Sequence, residues 1–172
     1  MAGAIGAIWG IGGISLLLGA AIYRLTPLAL EAVDHGLGAP HWAALAGFAL
    51  FMAYAEGYRG FQQRFSPRAA ARALYLRRNP TLLRVALAPF FCMGYFHATR
   101  RRKISSISLT LGIIALIALV RLLSQPWRGI IDFGVVVGLV WGEATVLYFS
   151  ASAFFGTGFS HPPETPEAQR EL

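Results

Sequence analysis

Residues 1–23 carry no charged side chain, residues 104–120 carry none, and eleven of the fifteen Lys and Arg lie between Arg59 and Lys103. A helix needs roughly 20 apolar residues to cross the hydrocarbon of a bilayer. The two uncharged runs therefore predict membrane-crossing helices, and the basic block between them predicts which side the middle of the chain faces. Basic residues collect on the cytoplasmic side of membrane proteins, so residues 59–103 are expected there.

Composition supports the same class. Of 172 residues 56% are hydrophobic and 13% charged, too apolar for an ordinary soluble domain. The expected fold is all-α, a polytopic transmembrane helix bundle in a single domain over residues 1–155. Four spans are predicted, at about 2–23, 42–61, 104–120 and 130–149, with a short disordered tail at 156–172. The first run is longer than a signal-peptide core and lacks a small-residue cleavage site, so it is read as a retained helix.

Residues 24–41 hold Arg24, Pro27, Glu31, Asp34 and several turn residues, and are expected on the outer face with a short interfacial helix. Ser66-Pro67 resembles a helix start, an N-cap followed by proline at the first turn, for a helix over 68–78 with Leu74 and Leu76 turned to lipid. The inner segment, 62–103, contains an ambiguous stretch. Residues 81–99 are apolar but include Arg84, Pro89, Gly94 and His97, and Arg100, Arg101, Arg102 and Lys103 follow at once. A crossing there would separate two basic clusters, so a dipping or interfacial segment is favoured; a crossing would give five spans and is the alternative.

Glycines mark packing faces. Gly3, Gly6, Gly10 and Gly13 share one face of the first span, and Gly134, Gly138 and Gly142 repeat GxxxG twice in the last. Small residues let helices approach closely in lipid, where hydrophobicity provides no drive between them. Ile14-Ser15-Leu16-Leu17-Leu18-Gly19 also resembles Ile107-Ser108-Leu109-Thr110-Leu111-Gly112, a pattern compatible with two hairpins of like orientation.

Polar residues within apolar spans are the candidate functional groups, because an ionised side chain in hydrocarbon must pair, face water or change protonation. Glu56, Arg59, Arg84, His97 and Glu143 form the expected intramembrane polar cluster. It can act as a cavity for a proton, cation or basic ligand, or as ion pairs locking helices. Arg68, Arg72, Arg77, Arg78, Arg100, Arg101, Arg102 and Lys103 are candidate contacts for lipid headgroups, since guanidinium groups bind phosphate bidentately.

Several function classes are excluded. A single cysteine, Cys92, rules out an internal disulfide, a CxxC pair and a thiolate zinc site, and His35, His41, His97 and His161 are too scattered for a metal motif. No GxSxG, HExxH or phosphate-binding glycine loop is present, so no catalytic residue is assigned and no cofactor is specified. The net charge of +7 comes with no nucleic-acid recognition motif, and loop charge facing anionic lipid explains it. The bias to fourteen Arg against one Lys suggests a GC-rich bacterial genome, hence the bacterial inner membrane.

Three functions remain. The first is a non-catalytic subunit or homo-oligomeric helix-packing module, whose partners are other membrane proteins or further copies of the chain. The second is a small proton- or ion-coupled transporter or channel using Glu56 and Glu143. The third is a lipid-headgroup-binding protein or lipid-modifying enzyme.

Overall fold

The uncharged start of the chain forms a helix that does not stop at its first arginine. In the computed structural model, which describes residues 1–156 and 159–166, α1 runs from Ala2 to Asp34. At about 1.5 Å per residue its 33 residues span about 50 Å, well beyond a hydrocarbon core of about 30 Å. The expected separate outer helix is thus the continuation of α1. Pro27 lacks the N–H that would bond one turn back, yet the helix survives it. The reason is packing: Ala29 and Ala32 are fully buried on the far end of α1, and Gly129 lies directly against Ala32.

A second continuous helical run covers residues 39–78 in three parts. These are α2 (Ala39–Met52), a π-helical segment (Ala53–Phe65) and α3 (Ser66–Arg78). Ser66-Pro67 is not a helix start: Ser66 has helical angles, φ −61° and ψ −47°, and its N–H bonds to Phe61 O five residues back. The wider π turn brings the chain past Pro67, whose missing N–H and ring obstruct the normal four-residue ladder. Leu76 is also not lipid-facing; it is wholly buried in the core, beside Ala69 and Ala73 of the same helix.

After Asn79 come two short helices, α4 (Leu82–Ala86) and α5 (Ala88–Met93). With five and six residues they are far too short to cross a bilayer. Both lie against α1. α5 ends at Gly94, whose φ of +88° suits glycine. Then α6 (Arg100–Val120) and α7 (Trp127–Phe155) complete the chain, which has no strand among the described residues.

Three helices, α1, α6 and α7, are long and apolar enough to cross a membrane. The contacts give their directions. Gly129 of α7 meets Leu28 and Ala32 of α1, and the far end of α7 meets the start of α1 through α3, where Arg77 lies near both Gly3 and Phe154. So α1 and α7 are antiparallel. The α2–π run is parallel to α7, because Phe48 meets Gly134, Glu56 meets Gly138 and Phe61 meets Gly142. One end of the bundle therefore gathers α3, α4, α5 and the start of α6, with nearly all the basic residues.

The glycine faces are filled from within the chain. Gly6 lies against Val85 and Leu76, Gly10 against Cys92 and Ala88, and Gly13 against Pro89. A Cβ on Gly3 would fall 2.3 Å from Arg77 O, so the backbones themselves touch. The hydrophobic core sits at this basic end: Ala7, Ile11 and Ile14 of α1 pack with Ala73, Leu76, Phe91 and Cys92, and with Val146 of α7.

Candidate functional site

Arg72 organises the basic end. It is only 1% exposed, and its guanidinium forms no ion pair with a carboxylate among the described residues. Instead Nε donates to Phe91 O at 2.6 Å, Nη1 to Pro163 O at 3.0 Å, and Nη2 to Phe96 O at 2.9 Å and His97 O at 3.1 Å. Its guanidinium carbon also lies 4.1 Å from the centre of the Phe91 ring. These carbonyls are orphaned where α5 ends and the chain turns toward α6, and one cation satisfies them together. Burial pulls the Arg72 pKa down to about 10, which leaves it charged at neutral pH. Arg72 is thus a structural staple rather than the headgroup contact expected from sequence.

Cys92 lies under the same layer, fully buried, and burial pushes its thiol up to about 12. It is an inert core residue at neutral pH. Arg84, also buried, approaches His97 Nδ1 at 3.5 Å. Arg84 and His97 therefore meet.

The other members of the expected polar cluster do not join them. Glu56 packs its side chain onto Gly138, and Arg59 is exposed on the π-helical segment. Glu143 sits further along α7 with Oε2 buried and without a hydrogen-bond partner. Glu56 lines a cleft that Glu143 does not line, so the two carboxylates share no cavity there.

That cleft is the most distinctive concavity in the molecule. The side-chain hydrogen bonds that attach α6 to the bundle lie near its basic end, and Val120 is buried at the other. Ser106 Oγ donates to Met93 O at 2.9 Å, the Tyr95 and Thr110 hydroxyls bond to each other, and Arg102 presses on Gly94. Beyond Thr110 every residue from Leu111 to Leu119 is exposed. The space between α6 and the α1–π–α7 face is a cleft of about 1040 Å³.

Its lining changes character along its length. The deep part is apolar, formed by Leu17 and Leu18 of α1, Leu139 of α7, and Leu109, Ile113 and Leu116 of α6. Ser105 and Ser108, which lie on one α6 face, come between these apolar residues and the arginines along α6, and Glu56, which packs on Gly138 beside Leu139, also lines the cleft. The mouth holds Arg64, Arg68, Arg101 and Arg102, with Glu164 among them. Arg102 is only 9% exposed, and its guanidinium makes no hydrogen bond or ion pair within the described residues. The remaining expected headgroup residues, Arg77, Arg78, Arg100 and Lys103, are exposed at the same end but outside the cleft.

Glu164 belongs to a stretch that composition assigned to a loose tail. Residues 159–166 instead run across the basic end: Pro163 O bonds Arg72, Thr99 N–H donates to Glu164 O at 3.2 Å, and Thr165 is completely buried. The physical reason is Arg72, which has more donors than α5 can satisfy. Residues 157–158 and 167–172 lie outside the described residues. Sequence reasoning also missed Arg64, Ser105 and Ser108. Three serines within four positions of an apolar helix were the signal available.

These features define a class: an all-helical chain of membrane-spanning type with an amphipathic side cleft. No protein-family model, curated protein or solved structure matches it.

Proposed function

We propose that the protein binds an anionic membrane lipid, holding the headgroup at the arginine mouth and the chains against the apolar wall, without catalysing a reaction. The carrying observation is the graded lining of the cleft, from leucines through serines to guanidinium groups. A lipid presents the same sequence of chemistries over the same kind of distance. Guanidinium forks match phosphate oxygens, and the buried Arg102 Nε, without a hydrogen-bond partner among the described residues, favours an external anion.

The setting is the bacterial inner membrane, crossed four times, with the arginine-rich segment and cleft mouth in the cytoplasmic leaflet. The α2–π run supplies the fourth crossing, because it lies parallel to α7 and beside it. Charge asymmetry supplies the orientation. In this frame the cleft opens sideways between α6 and the bundle, and lipid enters from the bilayer without leaving it.

The test is native mass spectrometry of the chain extracted in mild detergent. About one phospholipid per chain is expected to co-purify. The Arg64→Gln, Arg68→Gln, Arg101→Gln triple variant should lower its occupancy about tenfold. Undiminished occupancy in a folded triple variant contradicts the reading. A partner-docking reading is favoured by one observation: the outward face of α6, including Leu111, Ile114 and Leu119, is covered by nothing in the chain. In that reading the protein is a subunit or homo-oligomer joined through α6, and cross-links from Ile114 to a second protein support it.

A further inference from the structure

The ion pair at the cleft mouth is poorly suited to a purely structural role. Arg68 Nε lies 3.4 Å from Glu164 Oε1, with both side chains about one-third exposed, at 36% and 29%. Such a pair contributes little to stability. Glu164 nevertheless adopts a left-handed backbone, φ +51°, which is unfavourable for an L residue other than glycine. Its neighbours on either side are firmly held, through Pro163 O on Arg72 and through the burial of Thr165. The strap is anchored, and at one residue it bends to present a carboxylate.

What it presents that carboxylate to is an unbalanced site. Arg64, Arg68, Arg101 and Arg102 converge there, and Glu164 is the one acid at the mouth among the described residues, with Glu56 elsewhere in the cleft. The first turn of α6 is itself Arg100, Arg101, Arg102 and Lys103, with no acidic residue to complement the positive end of the helix. Free N–H groups at a helix start, together with guanidinium groups, form a seat for an anion larger and more charged than one carboxylate.

We infer that Glu164 is an internal stand-in for the ligand's phosphate, and that a lipid bearing a dianionic phosphomonoester headgroup enters by displacing it. The inference rests on the lipid-binding reading and adds the headgroup class and the competition. A phosphodiester carries one negative charge and a phosphomonoester close to two near neutral pH, so the second answers the surplus of guanidinium groups better. The serines, next to the arginines along α6, then lie level with the backbone of the lipid, where hydroxyl groups find acceptors and donors. The apolar wall restricts the ligand to molecules with chains.

The experiment uses the full chain in phosphatidylcholine nanodiscs doped with either phosphatidic acid, a phosphomonoester, or phosphatidylglycerol, a diester. Bound lipid is counted by native mass spectrometry for wild type and for Glu164→Gln. Phosphatidic acid should be preferred over phosphatidylglycerol about tenfold, and Glu164→Gln should raise occupancy by phosphatidic acid several-fold at sub-saturating lipid. Excess inorganic phosphate should compete poorly. Binding of phosphatidic acid that Glu164→Gln leaves unchanged or weakens overturns the stand-in role while the lipid reading survives. Equal binding of the diester overturns the headgroup class. Competition by inorganic phosphate as effective as by the lipid makes this a free-phosphate site, and absence of any bound lipid defeats the lipid reading itself.

Discussion

α6 and α7 are nearly equal in apolar character and differ threefold in how much of them is buried. Their best windows have mean hydropathy 2.1 and 1.8, yet 11% of the first and 33% of the second is buried. Hydropathy therefore does not decide which helix joins the bundle. What differs is the distribution of small residues. α7 buries Gly129, Gly134, Gly138 and Gly142 against α1, α2 and the π-helical segment, whereas the lone Gly112 of α6 faces open space. Lipid solvates a leucine as well as protein does, so only close backbone approach and polar contacts draw helices together. α6 has one glycine, which meets no neighbour, and it stands off. The cleft is the consequence.

This contrast can be broken at its root. Arg72→Met should have the largest effect, because it frees the carbonyls of Phe91, Phe96, His97 and Pro163 at once and unties the segment that leads into α6. Loss of one partner from a buried charged network costs about 3–5 kcal/mol. Thermal unfolding in detergent should show a large drop in midpoint, with a lower folded yield.

The glycine ridge comes next. A Cβ on Gly129 would lie 2.4 Å from Ala32 Cβ and 2.8 Å from Leu28 O, so a methyl group must separate α7 from α1. Gly129→Ala should cost about 1–3 kcal/mol, the range for overpacking, by the same unfolding measurement. At the attachment of α6, Ser106→Ala removes the bond to Met93 O and should cost about 1 kcal/mol. The smallest effect belongs to Gly112→Ala. Nothing lies within 4 Å of its added Cβ, so the variant should be unchanged or gain up to about 1 kcal/mol from helix propensity. A Gly112→Ala penalty equal to that of Gly129→Ala would erase the distinction between the two helices.

The uncharged runs made α1 and α6 legible in the sequence, and the long apolar stretch with its repeated GxxxG made α7 legible, because span length and scarcity of charge are set by the solvent. Residues 81–99 form only the short helices α4 and α5, and Arg84, Pro89, Gly94 and His97 were the sign that no long helix runs there. The details that failed were those decided by tertiary contact. Pro27 and Ser66-Pro67 carry strong local signals for breaks, but packing of Ala29 and Ala32, and a π turn before Pro67, override both. Arg72 looks identical in the sequence to the exposed Arg64, Arg77 and Arg78. Only the fold reveals that it faces inward onto carbonyls. Glu56 and Glu143 appeared to share a depth, and the structure places them near each other along α7, but facing different surroundings. The cleft was marked in the sequence only by the serines at the start of α6, because its walls come from helices far apart in the chain.

Photocross-linking in native membranes tests the central claim most directly. With p-benzoylphenylalanine at Ile113, which lines the cleft, the account predicts an adduct one lipid heavier than the chain, and a weaker lipid adduct when the Arg64, Arg68 and Arg101 side chains are neutralised. An internal cross-link from Ile113 to α1 or α7 would mean that the space is closed in the membrane. A cross-link from Ile113 to a second protein would mean that it holds a partner instead, and either result contradicts the account.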